Sequence, residues 1–277
     1  MRIAAGDWQL DLDPHRGGMI RALTRQGRDI LRPMPEGSTE PFESACFPLA
    51  PYVNRIAHGR FAWDGTAYTL APNHEGQAHP LHGTAWLGAW DIEADDAHSV
   101  TQVHHHKAGT GWDWPFTLRQ ALSLSPDGLE ARLELHNTGS RAMPVGLGFH
   151  PWFARSAVTA IAFEAEAVWL ADADMLPTQT APADALGDWS RGAGLERPDL
   201  VDHCYAGWGG ALRISRTDGD VLLEGDAAPF LHLYVPPGED FFCAEPQSTM
   251  PDAVNRMPPA PLSPGEMASI AMRIRNV

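Results

Sequence analysis

A regular alternation of apolar and polar residues over 116–135 most constrains what this 277-residue chain can fold into. Between Phe116 and Leu124, apolar side chains fall at positions 116, 118, 122 and 124, and after residues 125–128 they fall at 129, 131, 133 and 135. Successive side chains of a strand point to opposite faces, so a period of two predicts half-buried strands. The segment therefore predicts an antiparallel hairpin with one buried face and one wet face.

The same period returns along the rest of the chain. Residues 60–70 predict a second hairpin around an Asp64-Gly65 turn, and residues 212–214 and 268–274 predict further strands. No helical period extends over about 11 residues or more, and 26 glycines and 24 prolines fit many short elements joined by turns. We therefore predict an all-β chain, a large antiparallel β-sandwich that forms a single domain over residues 1–277.

The net charge and the cysteine content limit which partners and which cellular compartment we expect for the chain. The formal net charge is −15, so we expect neither nucleic acid nor a membrane surface as a partner. No apolar run approaches the roughly 20 residues of a membrane span, and the first residues do not read as a secretory signal. Cys46, Cys204 and Cys243 are scattered along the chain, which favours free thiols in a reduced, cytoplasmic compartment.

Four segments place reactive side chains beside glycine or proline within this strand pattern: residues 46–61, 73–86, 146–153 and 241–248. Their candidate functional residues are Arg55, His82, His150 and Glu245. Each residue also has a structural interpretation when it is taken singly. Arg55 could form an ion pair, His82 could stabilise a turn, His150 could end a strand and Glu245 could be an exposed acid. The functional interpretation therefore depends on the four segments occurring together.

Together these segments resemble the aldose 1-epimerase, or galactose mutarotase-like, family. The first match is the run Asn54-Arg55-Ile56 followed by Gly59, Phe61, Gly65, Tyr68, Leu70 and Asn73. The remaining matches are Leu81-His82-Gly83, His150-Pro151-Trp152-Phe153 and the late Glu245-Pro246. Their order and spacing agree with the family over roughly residues 42 to 256.

The resemblance implies a β-supersandwich that interconverts the α and β anomers of a free, unphosphorylated aldose without a cofactor or a metal. Opening a cyclic hemiacetal removes a proton from O1 and delivers one to the ring oxygen O5, so one base and one acid suffice. Glu245 suits the base, with a reference pKa of about 4.3, and His150 suits the acid, with a reference pKa of about 6.5. His82 completes the implied catalytic set.

The same resemblance implies a set of sugar-binding residues: Arg55, Asn54, Asp202, Trp86 and Trp152. Asp202 lies in a Val-Asp-x-x-Tyr context, where a carboxylate can accept hydrogen bonds from neighbouring hydroxyls. The two tryptophans follow the histidine motifs and offer flat apolar faces for a sugar ring. We expect a small sugar as the partner, and a monomer or homodimer.

Two alternatives remain open on the same fold, a hexose-6-phosphate 1-epimerase and a sugar-binding protein without turnover. Phosphate recognition needs convergent arginine or lysine, and near the motifs the sequence offers mainly Arg55 and Arg60. The run His104-His105-His106 raises the question of a metal. Alternation along a strand would let only His104 and His106 converge, so we expect no metal site there.

Overall fold

The computed structural model describes residues 1–109 and 111–277. Its strands are β1 (Arg2–Ala5), β2 (Trp8–Leu12), β3 (Ile20–Arg25), β4 (Arg28–Asp29), β5 (Pro48–Leu49), β6 (Arg60–Trp63), β7 (Thr66–Thr69), β8 (Asp91–Asp95), β9 (Ser99–His106), β10 (Phe116–Ser125), β11 (Gly128–Asn137), β12 (Gly148–Phe149), β13 (Trp152–Ala154), β14 (Val158–Phe163), β15 (Ala167–Ala171), β16 (Pro177–Pro182), β17 (Val201–Ala206), β18 (Ala211–Arg216), β19 (Val221–Asp226), β20 (Phe230–Val235), β21 (Phe241–Gln247) and β22 (Met267–Asn276).

Helical structure is confined to single turns. One α-helical turn, α1, covers Ala253–Arg256, and 3₁₀ turns cover Pro41–Glu43, Ala57–Gly59, Ala85–Leu87 and Trp189–Arg191. Across residues 1–109 and 111–277, no helix has the length and apolar character needed to cross a membrane.

The strands form two large sheets and two small ones. The first large sheet has the order β14-β18-β19-β22-β11-β10-β9-β8, and the second has the order β16-β15-β17-β20-β21-β12-β5, with β13 also paired to β21. A four-stranded sheet takes the order β1-β2-β3-β4, and β6 pairs with β7 as a separate hairpin. Every pairing between these strands is antiparallel, as the alternation in the sequence predicts.

Both predicted hairpins are present, with their turns where the sequence predicts them. Strands β10 and β11 pair from Phe116 opposite Asn137 to Ser125 opposite Gly128, and β10 alternates buried and exposed side chains along its length. At the β6–β7 turn, Asp64 and Gly65 have φ values of 47° and 72°. Positive φ at both central residues matches the right-handed twist of the flanking strands, which explains the Asp-Gly pair.

The two large sheets share one hydrophobic core. Leu133 on the first sheet and Leu231 on the second are both fully buried in it. Phe163 on β14 packs edge-on against Tyr205 on β17, with ring centroids 5.0 Å apart. Side chains from the first sheet thus contact side chains from the second, and the all-β sandwich prediction is confirmed.

The alternation on β11 yields a matched test of fold stability. Leu133→Ala should lower the free energy of unfolding by about 2–5 kcal/mol, because the side chain is fully buried and its removal leaves a cavity. Glu134→Ala, one residue later on the opposite face, should change it by only about 0.5 kcal/mol. Urea unfolding followed by tryptophan fluorescence measures both. Equal effects of the two variants would contradict the assignment of faces.

Candidate functional site

A cavity of about 350 Å³ collects side chains that are far apart in the sequence. It is lined by Arg32, Phe42, Asn54, Arg55, Gln77, Leu81, His82, His150, Trp152, Met175, Leu200, Asp202, His232, Tyr234, Phe241 and Glu245. Every residue predicted for the site lies in this lining except Trp86. The structure thus brings together the residues that the four sequence segments and Asp202 contributed separately.

Three neighbouring strands of the second sheet supply the charged side chains. Asp202 is on β17, His232 on β20 and Glu245 on β21, and these strands are adjacent in that order. His232 lies directly opposite Glu245 on one side and Cys204 on the other. Asp202 is two residues from Cys204 and therefore on the same face of the sheet. The register thus places a carboxylate, an imidazole and a second carboxylate side by side.

A pair of interlocked turns holds His82. The backbone N–H of Asn54 donates to Nδ1 of His82 over 3.2 Å, and the backbone N–H of His82 donates to the carbonyl of Asn54 over 2.9 Å. Since Nδ1 accepts, the ring carries its proton on Nε2. Gly83 follows with a φ of 76°, and a Cβ there would lie 2.0 Å from the carbonyl oxygen of Ala50. Only glycine fits at this point of the Leu-His-Gly motif.

His150 and Glu245 are in direct contact. Nε2 of His150 lies 3.3 Å from Oε1 of Glu245, and the Gln247 amide donates to the other carboxylate oxygen over 2.9 Å. The His150 ring stacks on Trp152 with centroids 4.0 Å apart, and the His82 ring stands nearly perpendicular to it at 5.0 Å. These contacts fix the orientation of both groups.

Burial changes the protonation of the pair. Removal from water raises the pKa of the Glu245 carboxyl to about 7, against the opposing effect of the His232 charge. Burial, together with the His232 charge, lowers the pKa of His150 to about 3. Burial and the neighbouring His150 hold the pKa of His82 well below its ordinary value. Glu245 therefore exchanges its proton near neutral pH, and His150 is neutral there.

The expectation that His150 is the acid at O5 used a pKa of about 6.5, and the lowered pKa changes the protonation state from which the ring would donate. That expectation used the pKa of a histidine in water, whereas the His150 ring is 7% exposed and has cationic neighbours. A neutral imidazole still offers one N–H to a substrate oxygen.

Asp202 and His232 form a buried ion pair. Nε2 of His232 lies 2.6 Å from Oδ1 of Asp202, and the two residues are 5% and 8% exposed. Burial disfavours the imidazolium, but the hydrogen bond to Asp202, the adjacent Cys204 side chain and the charges of Asp202 and Glu245 outweigh it and raise the pKa of His232 to about 10. Sequence reasoning missed His232. In the sequence, His232 is distinguished only as the one strongly polar residue in the apolar run Phe-Leu-His-Leu-Tyr-Val.

Comparison with known proteins places the chain in a family. The family model described as aldose 1-epimerase matches residues 14–275. The chain belongs to the aldose 1-epimerase family. Two sequence relatives come from Escherichia coli K12, both uncharacterised. YphB is 32% identical over 99% of this chain and 97% of its own, and YihR is 30% identical over 54% of this chain and 48% of its own.

Solved structures agree with the family assignment. A protein from Escherichia coli K12, named provisionally as an aldose 1-epimerase, superposes with a TM-score of 0.90 at 33% identity and covers 99% of this chain and 97% of that one. A galactose mutarotase-like protein from Clostridium acetobutylicum has a TM-score of 0.87 at 20% identity and covers 100% of this chain and 95% of that one. The second likeness shows the fold alone.

One expectation taken from the epimerase family fails for Trp86, which does not line the cavity. Its indole is fully buried, stacks on Phe47 with ring centroids 5.1 Å apart, and donates through Nε1 to the carbonyls of Leu81 and Gly83. Trp86 therefore supports the turn that carries His82 from within the core. Trp152 does line the cavity, as predicted.

Two arginines line the cavity. Arg55 donates to the side-chain oxygens of Asn54 and Gln77 over 3.4 and 3.3 Å. Arg32, which sequence reasoning missed, donates to the Phe42 carbonyl over 2.7 Å, and its guanidinium lies over the Phe241 ring at 4.4 Å. Over the described part of the chain, the hydrogen bonds of both guanidinium groups go to neutral acceptors.

In the part of the chain that the structure describes, the candidate metal ligands are His150 and Glu245 of the cavity with the fully buried Cys243 behind them, whose ligand atoms lie within 4.8 Å of one another. A metal such as zinc binds cysteine as the thiolate. Burial and the charge of Glu245 raise the pKa of the Cys243 thiol well above its ordinary value. We therefore interpret the cluster as an acid–base pair beside a neutral thiol.

The histidine triplet is explained by the strand. His104 donates through Nδ1 to the Ala89 carbonyl over 2.8 Å, and Nε2 of His106 contacts the Trp112 carbonyl at 3.1 Å. His105 points to the opposite, exposed face, as the alternation predicts.

The lowered pKa of His150 yields a prediction about its titration. The ring should remain neutral from pH 8 down to pH 5, because its folded-state pKa of about 3 lies below that window. Nitrogen NMR of histidine-labelled protein measures this, with the signal assigned by its loss in His150→Asn. A midpoint near 6.5 would show that burial does not govern this group.

Proposed function

We propose that the chain is an aldose 1-epimerase that interconverts the α and β anomers of a free, unphosphorylated aldose without a cofactor. The observation that carries the proposal is the contact between His150 and Glu245, at 3.3 Å, in a cavity lined by hydrogen-bonding side chains. A proton acceptor and a proton donor on neighbouring atoms are what an exchange between O1 and O5 of one sugar requires.

In this mechanism Glu245 takes the proton from O1. A carboxylate with a pKa of about 7 is a stronger base than one in water, yet it is still substantially ionised at neutral pH. Gln247 occupies the second carboxylate oxygen, which leaves the oxygen nearest His150 to act.

His150 serves O5 as a neutral donor. As the C1–O5 bond breaks, negative charge develops on O5, and a neutral imidazole N–H can stabilise such a charge. The Nε2–H hydrogen bonds to O5 while the bond breaks, and the proton that Glu245 took from O1 is passed to O5, so the aldehyde and the new hydroxyl form with both side chains back in their starting protonation states. The open-chain aldehyde then rotates about C1–C2, and the same steps in reverse close the ring on its other face.

The remaining polar side chains hold the sugar. Arg55, Asn54 and His82 lie together because of the interlocked turns, and each offers an N–H to a hydroxyl. Asp202 offers an acceptor, and Trp152 contributes an aromatic surface to the cavity wall. Such positioning contributes to the rate because ring opening needs O1 and O5 to meet their partners at the same time.

A second candidate is an epimerase for aldoses with an anionic group, such as a hexose 6-phosphate. One observation favours it. Arg32 joins Arg55 in the cavity, and the two guanidinium groups donate to neutral acceptors within the described residues. Guanidinium groups are well suited to phosphate and carboxylate.

Polarimetry on freshly dissolved anomers tests the proposal. The panel comprises glucose, galactose, xylose, arabinose, fucose, a hexose 6-phosphate and a uronic acid. The protein should accelerate the interconversion of anomers for at least one neutral aldose. Glu245→Gln should lower kcat for this reaction by about 10²- to 10⁴-fold, because an amide cannot accept the O1 proton. Sugar binding, measured by calorimetry, should persist in this variant.

The exposed Glu239→Gln is the matched control and should behave as the wild type. Acceleration of the charged sugars alone would favour the second candidate. Binding without acceleration of any sugar would identify a sugar-binding protein instead.

The two histidines should differ in which kinetic constant they change. His150→Asn should lower kcat, because the donor to O5 acts as the C1–O5 bond breaks. His82→Asn should act mainly on KM, because a group that only holds a hydroxyl stabilises ground and transition states alike. Steady-state kinetics on the preferred aldose measures both constants. The reverse pattern would exchange the two roles.

A further inference from the structure

His232 stands between the two carboxylates of the cavity without a part in the proton transfers described above. We propose that His232 is a positioning residue for this reaction: its imidazolium, held by Asp202 and placed opposite Glu245, allows both carboxylates to be negatively charged in one cavity. The inference rests on the proposed function for its kinetic meaning, and on the geometry of β17, β20 and β21 for its electrostatics.

The arrangement of the strands makes the position of His232 specific. The backbone register sets it directly opposite Glu245, and the 2.6 Å contact with Asp202 holds its ring. Each of these side chains lies on a strand rather than a loop, and all three are at most 8% exposed. A site built on strands keeps such distances with little freedom.

Charge balance explains why the cavity needs a cation at this position. Two carboxylates that are both removed from water oppose each other's ionisation. Asp202 accordingly raises the pKa of Glu245, and the His232 charge lowers it. With a neutral side chain at 232, Glu245 would hold its proton to higher pH and would be a poor base at neutral pH.

The other groups around the pair do not replace this cation. The titratable and polar groups that face Glu245 are His150, Cys243, Cys46, Cys204, Gln247, Arg55, Asp202 and His232. Those that face His232 are Asp202, Cys204, Glu245, His82 and His150, while His203 lies between Asp202 and Cys204 on β17 and therefore points to the opposite face. Of the cations among them, only Arg55 also lowers the pKa of Glu245, and its effect is smaller than that of His232.

The kinetic test is the pH profile of kcat/KM in His232→Gln, which keeps a hydrogen-bonding group and removes the charge. The acid limb is the fall in kcat/KM at low pH as Glu245 becomes protonated. Its midpoint should rise by about one pH unit or more, so kcat/KM at pH 6.5 should fall about tenfold and recover towards pH 9. A merely structural role would lower kcat/KM equally at every pH, and that result would overturn the inference.

Two further variants sharpen the comparison. His203→Gln, which alters the next residue along β17 from Asp202, is the matched control and should leave the limb in place. Asp202→Asn combined with His232→Gln should move the limb back towards the wild-type position, because it also removes the second negative charge. A limb that stays displaced in the double variant would contradict the charge-balance argument.

Two NMR measurements need no turnover and separate this inference from the proposed function. Nitrogen NMR should show both ring nitrogens of His232 protonated through pH 8, with the signal lost in His232→Gln. Carbon NMR of labelled glutamate should show the Glu245 midpoint rising by about one unit or more in the same variant. If the protein accelerates no aldose but both results hold, the proposed function fails and the electrostatic role stands. A neutral His232 at pH 7 or an unmoved Glu245 midpoint overturns it.

Discussion

The burial of a charged group in a β-sheet is the constraint on which the site depends. Glu245 lies on a central strand and is 2% exposed, so water contributes little to its ionisation. Its protonation is then determined by the groups on adjacent strands, and those groups are the ones that also face the cavity. The sandwich therefore does more than enclose the pocket, because its strand register sets the acid–base properties of the residues within it.

Much of the fold could be predicted because its signal is local. The hairpin of β10 and β11 follows from the spacing of Leu118 and Leu133 with their neighbours, and the β6–β7 turn follows from Asp64-Gly65. What the sequence alone could not predict was the order of strands in each sheet. That order pairs β11 with β22, whose residues lie more than a hundred positions away, and no local pattern carries it.

The candidate site divides in the same way. Glu245, His150, His82 and Arg55 could be found because they occur in motifs with fixed neighbours. His232 and Arg32 could not, because each becomes a cavity residue only through the packing of distant segments. Trp86 is the opposite case, a residue that the sequence placed in the site and the structure places outside it. Its place after the Leu-His-Gly motif indicated a sugar platform, but its indole satisfies the carbonyls of that turn within the core. The neutral state of His150 also depends on burial, which residue type does not reveal.

The interlocked turns have a consequence for the chain between them. The backbone N–H of His82 donates to the Asn54 carbonyl and the backbone N–H of Asn54 donates to the His82 ring, so residues 55–81 leave and re-enter the cavity wall at a closed junction. The β6–β7 hairpin lies within this excursion, and its Asp64-Gly65 tip is exposed with open space around Gly65. The tip is therefore a natural point for attaching a fluorophore or an affinity tag, since added residues there would extend into solvent while the closed junction keeps His82 in place.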